Sequence, residues 1–181
     1  LQRESEKHLL TPTSLLTAVF AEILSRWSRT SHFVINLTLF NRLPLHPHIN
    51  QIIGDFTSLV LLEVPSRLEE KEKKFLYRAK ALQERLWEDI DHRLFSGIEV
   101  QRELLRRSYN TRALMPIVFT CVLGREQEKK REENCSSLLF KKEEYSITQT
   151  PQVWLDYKAY EVEGDLVIEW DYVEGLFPPG L

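Results

Sequence analysis

Leu15, Leu16, Val19, Phe20, Ile23, Leu24 and Trp27 recur at the spacing of one face of a helix, and a stripe that wide predicts a well-buried element. Thr11-Pro12 starts it, with a hydroxyl N-cap followed by proline at the first helical position. Phe33 to Phe40 (FVINLTLF) is β-branched and aromatic, which predicts a strand with Asn36 and Thr38 on one face. Leu59 to Val64 is a continuous apolar run, as suits a strand covered on both faces. Phe75, Ala79, Leu82, Leu86 and Ile90 mark a long helix whose first turns are solvated by the charges from Glu69 to Lys74. Ser96-Gly97-Ile98-Glu99 has capping-box spacing and opens a further helix through Val100, Leu104 and Leu105. Met115 to Val122, Tyr145 to Tyr160 and Leu166 to Trp170 predict three more strands.

The predicted order is α-β-β-α-α-β-β-β. Such an order favours an α/β layer structure, a mixed sheet covered by helices, here as a single domain over residues 1–181. Between the first two strands, Asn41 to His48 is a loop punctuated by two prolines. Its His46 and His48 read as solvated imidazoles, because no cysteine or further histidine accompanies them, and no metal site is expected. Arg125 to Glu144, of alternating charge, reads as a solvated loop or exposed helix.

Composition narrows the class of partner. The chain has 24 basic and 27 acidic residues, a net charge of −3, so no nucleic-acid partner is expected. No apolar run approaches the roughly 20 residues of a membrane span, and none is expected. Cys121 and Cys135 do not make a disulfide framework. Cys121 follows an apolar run and reads as a small buried hydrophobe. A cytoplasmic setting is expected. The N-terminal Leu1 to Lys7 carries no signal-peptide core and no initiator Met, so the chain reads as the interior of a longer polypeptide.

Candidate chemistry concentrates in Thr148-Gln149-Thr150-Pro151-Gln152-Val153-Trp154-Leu155-Asp156. Pro151 sets its own φ and pushes Thr150 toward extended geometry. Alternation beyond it predicts Gln152, Trp154 and Asp156 on one face of a strand, with Val153 and Leu155 on the other. A carboxylate, an amide and a large aromatic on one face make a wall for a polar substrate in a dry site.

Four segments then stand out in order: Asn36-Leu37-Thr38-Leu39-Phe40-Asn41-Arg42, Gly54-Asp55-Phe56-Thr57-Ser58-Leu59, Pro116-Ile117-Val118-Phe119-Thr120 and Gln149 to Asp156. Together they resemble the C-terminal core motifs of heterocyclization domains of nonribosomal peptide synthetases, within the condensation-domain superfamily. Leu166 to Asp171 resembles the tail of the last motif. The similarity runs from about Leu10 to Phe177.

The resemblance implies a chloramphenicol-acetyltransferase-like fold of two lobes, with the active-site tunnel between them. The family's Asp-x-x-x-x-Asp signature lies in the N-terminal portion and has no match here. The chain is therefore expected to be most of the C-terminal lobe, inactive on its own, with the N-terminal lobe among its partners. The implied reaction joins an upstream acyl group on one carrier protein to a Cys, Ser or Thr held on a downstream carrier. That residue's thiol or hydroxyl then closes on the new amide, and loss of water gives a thiazoline or oxazoline. Phosphopantetheine arms belong to the carriers, and no cofactor is implied for the domain itself.

Cyclodehydration needs a group that carries protons in a water-poor site, and burial can tune a carboxyl for it. Asp156 matches the family's catalytic aspartate, and Thr120 matches a threonine acting with it through hydrogen bonding. Asn41 and Gln152 are candidates for orienting the reacting carbonyl. Asp55, beside Gly54, is a candidate either for lining the tunnel or for capping a turn. Two alternatives stay open. One is an ordinary condensation or acyltransferase lobe, whose His-His-x-x-x-Asp-Gly motif is absent from this chain. The other is a non-catalytic module docking an acidic carrier protein through Arg102, Arg106 and Arg107.

Overall fold

The computed structural model describes residues 1–30, 32–65, 74–107, 115–123, 150–162, 164–178 and 180. Arg125 to Glu144, Cys135, the Glu69 to Lys73 charges and Thr148-Gln149 lie outside the described residues. The chain folds as two compact units, Leu1–Met115 and Pro116–Leu181. No helix among the described residues is long and apolar enough to cross a membrane.

The first unit carries helices α1 (Gln2–Lys7), α2 (Pro12–Trp27), α3 (Phe75–Asp91) and α4 (Gly97–Arg107), with strands β1 (Phe33–Phe40) and β2 (Thr57–Val64). Both sequence-read helix starts are built as expected. Thr11 Oγ1 accepts from Ser14 N at 3.1 Å, with Pro12 following. At α4, Ser96 N donates to Glu99 Oε2 at 2.7 Å and Glu99 N to Ser96 Oγ at 3.4 Å, the reciprocal bonds of a capping box. Lys74 sits ahead of α3 as its N-cap residue, so it is not part of the first turn. α1 was not legible in the pattern. It ends in a Schellman turn, Leu9 N to Glu6 O and Leu10 N to Ser5 O, with Leu9 in the left-handed region.

Strands β1 and β2 are antiparallel, Ile35 opposite Leu62 and Leu37 opposite Val60. These four residues are buried and share one face. The other face of β2 is only half-buried, contrary to a strand hidden on both sides. Gly97 of α4 lies against that face. A Cβ there would meet Leu59 O and the Leu61 side chain at 3.1 Å, which explains a glycine at the start of a helix. Asn36, buried on the same face, donates to Met115 O and accepts from Gln101 of α4 at 3.3 Å. α2 buries Leu16, Phe20 and Leu24 with the small Ser14, Thr17, Ala18 and Ala21, but Val19 and Trp27 stay exposed. Its buried stripe is rotated from the one the apolar pattern suggests, toward the small residues on which the helix packs closely.

The second unit is a three-stranded mixed sheet of β3 (Ile117–Val122), β4 (Leu155–Val162) and β5 (Asp165–Tyr172). β3 and β4 are parallel, and β4 and β5 antiparallel. On one face Phe119 stacks on Tyr157 at 5.0 Å, and Trp170 meets Tyr157 edge-on at 5.3 Å. Cys121 is only half-buried, not a core residue.

Gln83 of α3 joins distant parts of the first unit. It is buried, accepts from Thr11 N at 2.7 Å and donates to Leu9 O at 3.0 Å. Replacing it by Leu removes the partner of two backbone groups, of which Thr11 N is half-buried and Leu9 O belongs to an exposed residue. Gln83→Leu is expected to destabilise the first unit by roughly 1–3 kcal/mol, the cost of one orphaned group, since water reaches the exposed Leu9. Urea unfolding would check this; a change within about 0.5 kcal/mol would mean that both groups find other partners.

Candidate functional site

The candidate residues fall into both units. In the first, Asn41 follows β1, its amide N–H donating to Phe56 O at 2.9 Å. Its Oδ1 is buried with no hydrogen-bond partner among the described residues. The neighbouring Arg42 guanidinium lies 3.8 Å from the Phe56 ring centre and donates to Ile49 O and Ile52 O, which folds the loop before β2 around it. Asp55 closes that loop as a turn cap: its Oδ1 accepts from Thr57 N at 2.8 Å. Bonds from the Thr57 side chain and backbone hold its exposed carboxyl below the ordinary value.

In the second unit, β4 begins at Leu155. Trp154 N and Leu155 N both donate to Pro116 O, while Val173 N donates to Trp154 O, so the strand entry is pinned from both neighbours. The strand does not reach back to Gln152, as the alternation predicts. Thr150-Pro151-Gln152-Val153 is a turn closed by Val153 N to Thr150 O at 3.2 Å. Gln152 has φ 71. Proline at the second position and positive φ at the third are the marks of a type II turn, whose third position favours glycine. A glutamine held there carries backbone strain.

Within β4, Asp156 lies opposite Val118 of β3 and Asp171 of β5. Thr120 lies opposite Lys158, two residues further on. The pleat puts Asp156, Lys158, Val118, Thr120 and Asp171 on one face, away from the stacked aromatics. The structure thus brings Thr120 and Asp156 to one face, displaced by one step of the pleat. Asp156 is 6% exposed, and its Oδ1 has no hydrogen-bond partner among the described residues. Burial pushes its carboxyl above the ordinary value; the Lys158 cation pulls it down and the Asp171 carboxylate pushes it up.

Asp156 and Gln152 line one pocket of about 620 Å³, walled by Pro151, Trp154, Tyr172 and Glu174. Trp154 is 43% exposed and forms part of its rim. The first unit has a separate cavity of about 250 Å³ between α2, α3 and the end of β2, beside the Arg78–Glu22 ion pair of 2.5 Å; no candidate residue lines it. The Arg106 and Arg107 side chains both reach Glu103 on their own helix, which weakens them as a docking patch.

The condensation-domain family model matches residues 1–179. The chain belongs to the condensation-domain family. This condensation-domain chain is 43% identical over 179 residues to bacitracin synthase 1 of Bacillus licheniformis, covering 98% of the chain and 3% of that protein. It is 38% identical over 174 residues to phenyloxazoline synthase MbtB of Mycobacterium tuberculosis, covering 95% and 12%. The cyclization-docking bidomain of the nonribosomal peptide synthetase EpoB from Sorangium cellulosum superposes with a TM-score of 0.76 at 42% identity, over 98% of this chain and 35% of that one. The condensation-domain chain therefore spans a small part of each synthetase and about a third of the solved structure. Its α/β architecture is that of the chloramphenicol-acetyltransferase-like fold of these domains.

Two stability effects follow from the site. Gln152→Gly relieves the positive φ and is expected to stabilise the second unit by about 1–2 kcal/mol, the cost of a left-handed non-glycine residue; thermal unfolding would show it, and a destabilised variant would mean that the glutamine side chain supports the turn. Asp156 has a pKa above its ordinary 3.8 when folded. Between that value and the raised one, the folded chain binds more protons than the unfolded chain, so stability falls as pH rises through the window. Asp156→Asn cannot ionise and is expected to be more stable than the parent at neutral pH, with the gap closing below pH 3.8. A pH-independent gap in denaturation midpoints would refute the assignment.

Proposed function

We propose that this chain is part of a heterocyclization domain, the C-terminal lobe of a tunnel completed by a second lobe. It takes part in joining a carrier-bound acyl group to carrier-bound Cys, Ser or Thr and in cyclodehydrating the product to a thiazoline or oxazoline. The observation that carries the reading is Asp156: a buried carboxyl with an unpartnered oxygen, lining a pocket, at the position where the heterocyclization motif has its aspartate. The similarity to a phenyloxazoline synthase and to a cyclization domain supports the same class.

In the first reaction the amine of the downstream residue attacks the upstream thioester, and the amide forms with release of the carrier thiol. In ring closure the side-chain thiol or hydroxyl attacks the amide carbonyl. Its proton passes to the Asp156 carboxylate and on to the former carbonyl oxygen. The amide N–H proton then passes to the carboxylate and on to that hydroxyl, which leaves as water as the C=N bond forms. Each half takes one proton and gives one back, so a single carboxyl suffices. Burial raises its pKa, which favours its acting as a donor. Thr120 assists by hydrogen bonding on the same face, Gln152 orients the reacting carbonyl, and in the first unit Asp55 shapes the loop before β2. The phosphopantetheine arms of the carrier proteins deliver both substrates.

In the full protein with loaded carriers, Asp156→Asn is expected to yield linear condensed product with ring formation lowered by about 10²-fold or more, the usual worth of a positioned acid–base group. Thr120→Ala is expected to be milder and also selective for ring formation. Product analysis by mass spectrometry separates the two species through the mass of one water. Heterocycle at the parent rate from Asp156→Asn would sink the proposal, and equal loss of both steps in Thr120→Ala would reassign that residue to structure.

A further inference from the structure

The face that carries Asp156 also carries a cation that does not serve it. Lys158 is two residues along the same strand, and Asp171 stands directly across from Asp156 on β5. Residues i and i+2 on one face, and directly opposed residues on antiparallel strands, are all within side-chain reach of one another. The Lys158 ammonium therefore has three carboxyls within reach, Asp156, Asp171 and the directly opposed Glu169. It donates to Asp171 Oδ2 at 2.6 Å, with side chains 19% and 34% exposed, while Asp156 Oδ1 is left without a partner.

We propose that Asp171 is a positioning residue for Asp156: by engaging the Lys158 ammonium it keeps that cation from closing on the buried Asp156 oxygen in the pocket. The inference rests on the reading of Asp156 as the proton carrier and adds the device that keeps it available. Were Lys158 to pair with Asp156, the carboxylate would be locked in its charged form and its oxygen occupied. Were Lys158 absent, the opposed Asp156 and Asp171 would compete for one proton.

The other groups around Asp156 do not supply this control. Among the described residues, β3 presents Val118 and Thr120 on this face, and neither carries a charge. The turn before β4 presents Gln152 and Trp154, and Glu174 stands on the pocket wall. On β5, Glu169 faces Lys158 and accepts from Tyr160 Oη at 2.6 Å. Burial works against the Lys158 charge, but its bond to Asp171 and the charges of Asp171, Asp156 and Glu169 outweigh that and hold its pKa above the ordinary value. The cation is thus always present, and what matters is which carboxylate holds it.

The test uses the full protein with loaded carriers, measuring linear product and heterocycle separately across pH. Asp171→Asn frees Lys158 to pair with Asp156. Ring formation should fall by roughly tenfold or more with condensation retained, and the limb at which Asp156 loses its proton should move to lower pH. Lys158→Gln, which leaves Asp171 in place, should move that limb the other way. The double variant should recover ring formation to within about threefold of Lys158→Gln, because the misplaced cation is gone. An ion pair that merely ties β4 to β5 still shifts the limbs through its two charges, but it predicts no selective loss of ring formation in Asp171→Asn and no recovery in the double variant. Unshifted limbs in both single variants, or a double variant no better than Asp171→Asn, would overturn the proposal. If Asp156→Asn abolishes ring closure while those limbs stay put, only this inference falls; if Asp156→Asn forms heterocycle normally, the reading beneath it falls as well.

Discussion

A carboxyl group buried with one oxygen unpaired is the constraint on which the second unit depends. Such a group is costly, and it survives only because backbone pairing on both sides leaves it nowhere to go. Pro116 O receives the two amides that open β4, and β5 returns to Trp154 through Val173. These bonds set the register that places Asp156 between Val118 and Asp171. The stacked Phe119 and Tyr157, with Trp170 against them, anchor the opposite face. The apolar face thus holds the strands while the polar face bears a strained electrostatic arrangement, a division that a pleated sheet makes possible.

Strain in the backbone points to the same place. Gln152 occupies a turn position made for glycine, next to the strand that carries Asp156, and both line one pocket. Nothing in the turn itself needs a glutamine. A side chain is thus kept at a conformational cost beside a carboxyl with no hydrogen-bond partner on Oδ1 among the described residues. The first unit is built otherwise. Gln83 and Asn36 are buried amides there too, yet each has its polar atoms joined to backbone or to another side chain. Asn41 Oδ1 and Asp89 Oδ2 depart from this, each buried without a hydrogen-bond partner among the described residues.

Much of the fold was legible in particular residues. Thr11-Pro12 and Ser96 to Glu99 are local signals whose hydrogen bonds need only neighbours in sequence, and both form as read. The strands around Phe33–Phe40 and Met115–Val122 were legible from β-branched and aromatic runs. α1 was not, because a helix of six residues has little stability of its own and depends on what it packs against. The predicted alternation through Gln152 failed because a type II turn normally advertises itself with glycine at its third position, and this one does not. The half-exposed outer face of β2 looked like a fully buried strand because apolar residues alone do not say what covers them.

The sequence by itself determined the class of elements, the helix caps and, through four ordered motifs, the family and the candidate carboxylate. These are properties of short segments, where spacing and side-chain type act directly. Only the tertiary structure decided that Asp156 is buried, that Asp171 faces it and that Lys158 bonds to the latter. Those facts depend on strand register, and a shift of one residue would turn every side chain of β4 to the other face. Register is settled by the packing of residues far apart in the chain, which no local pattern contains.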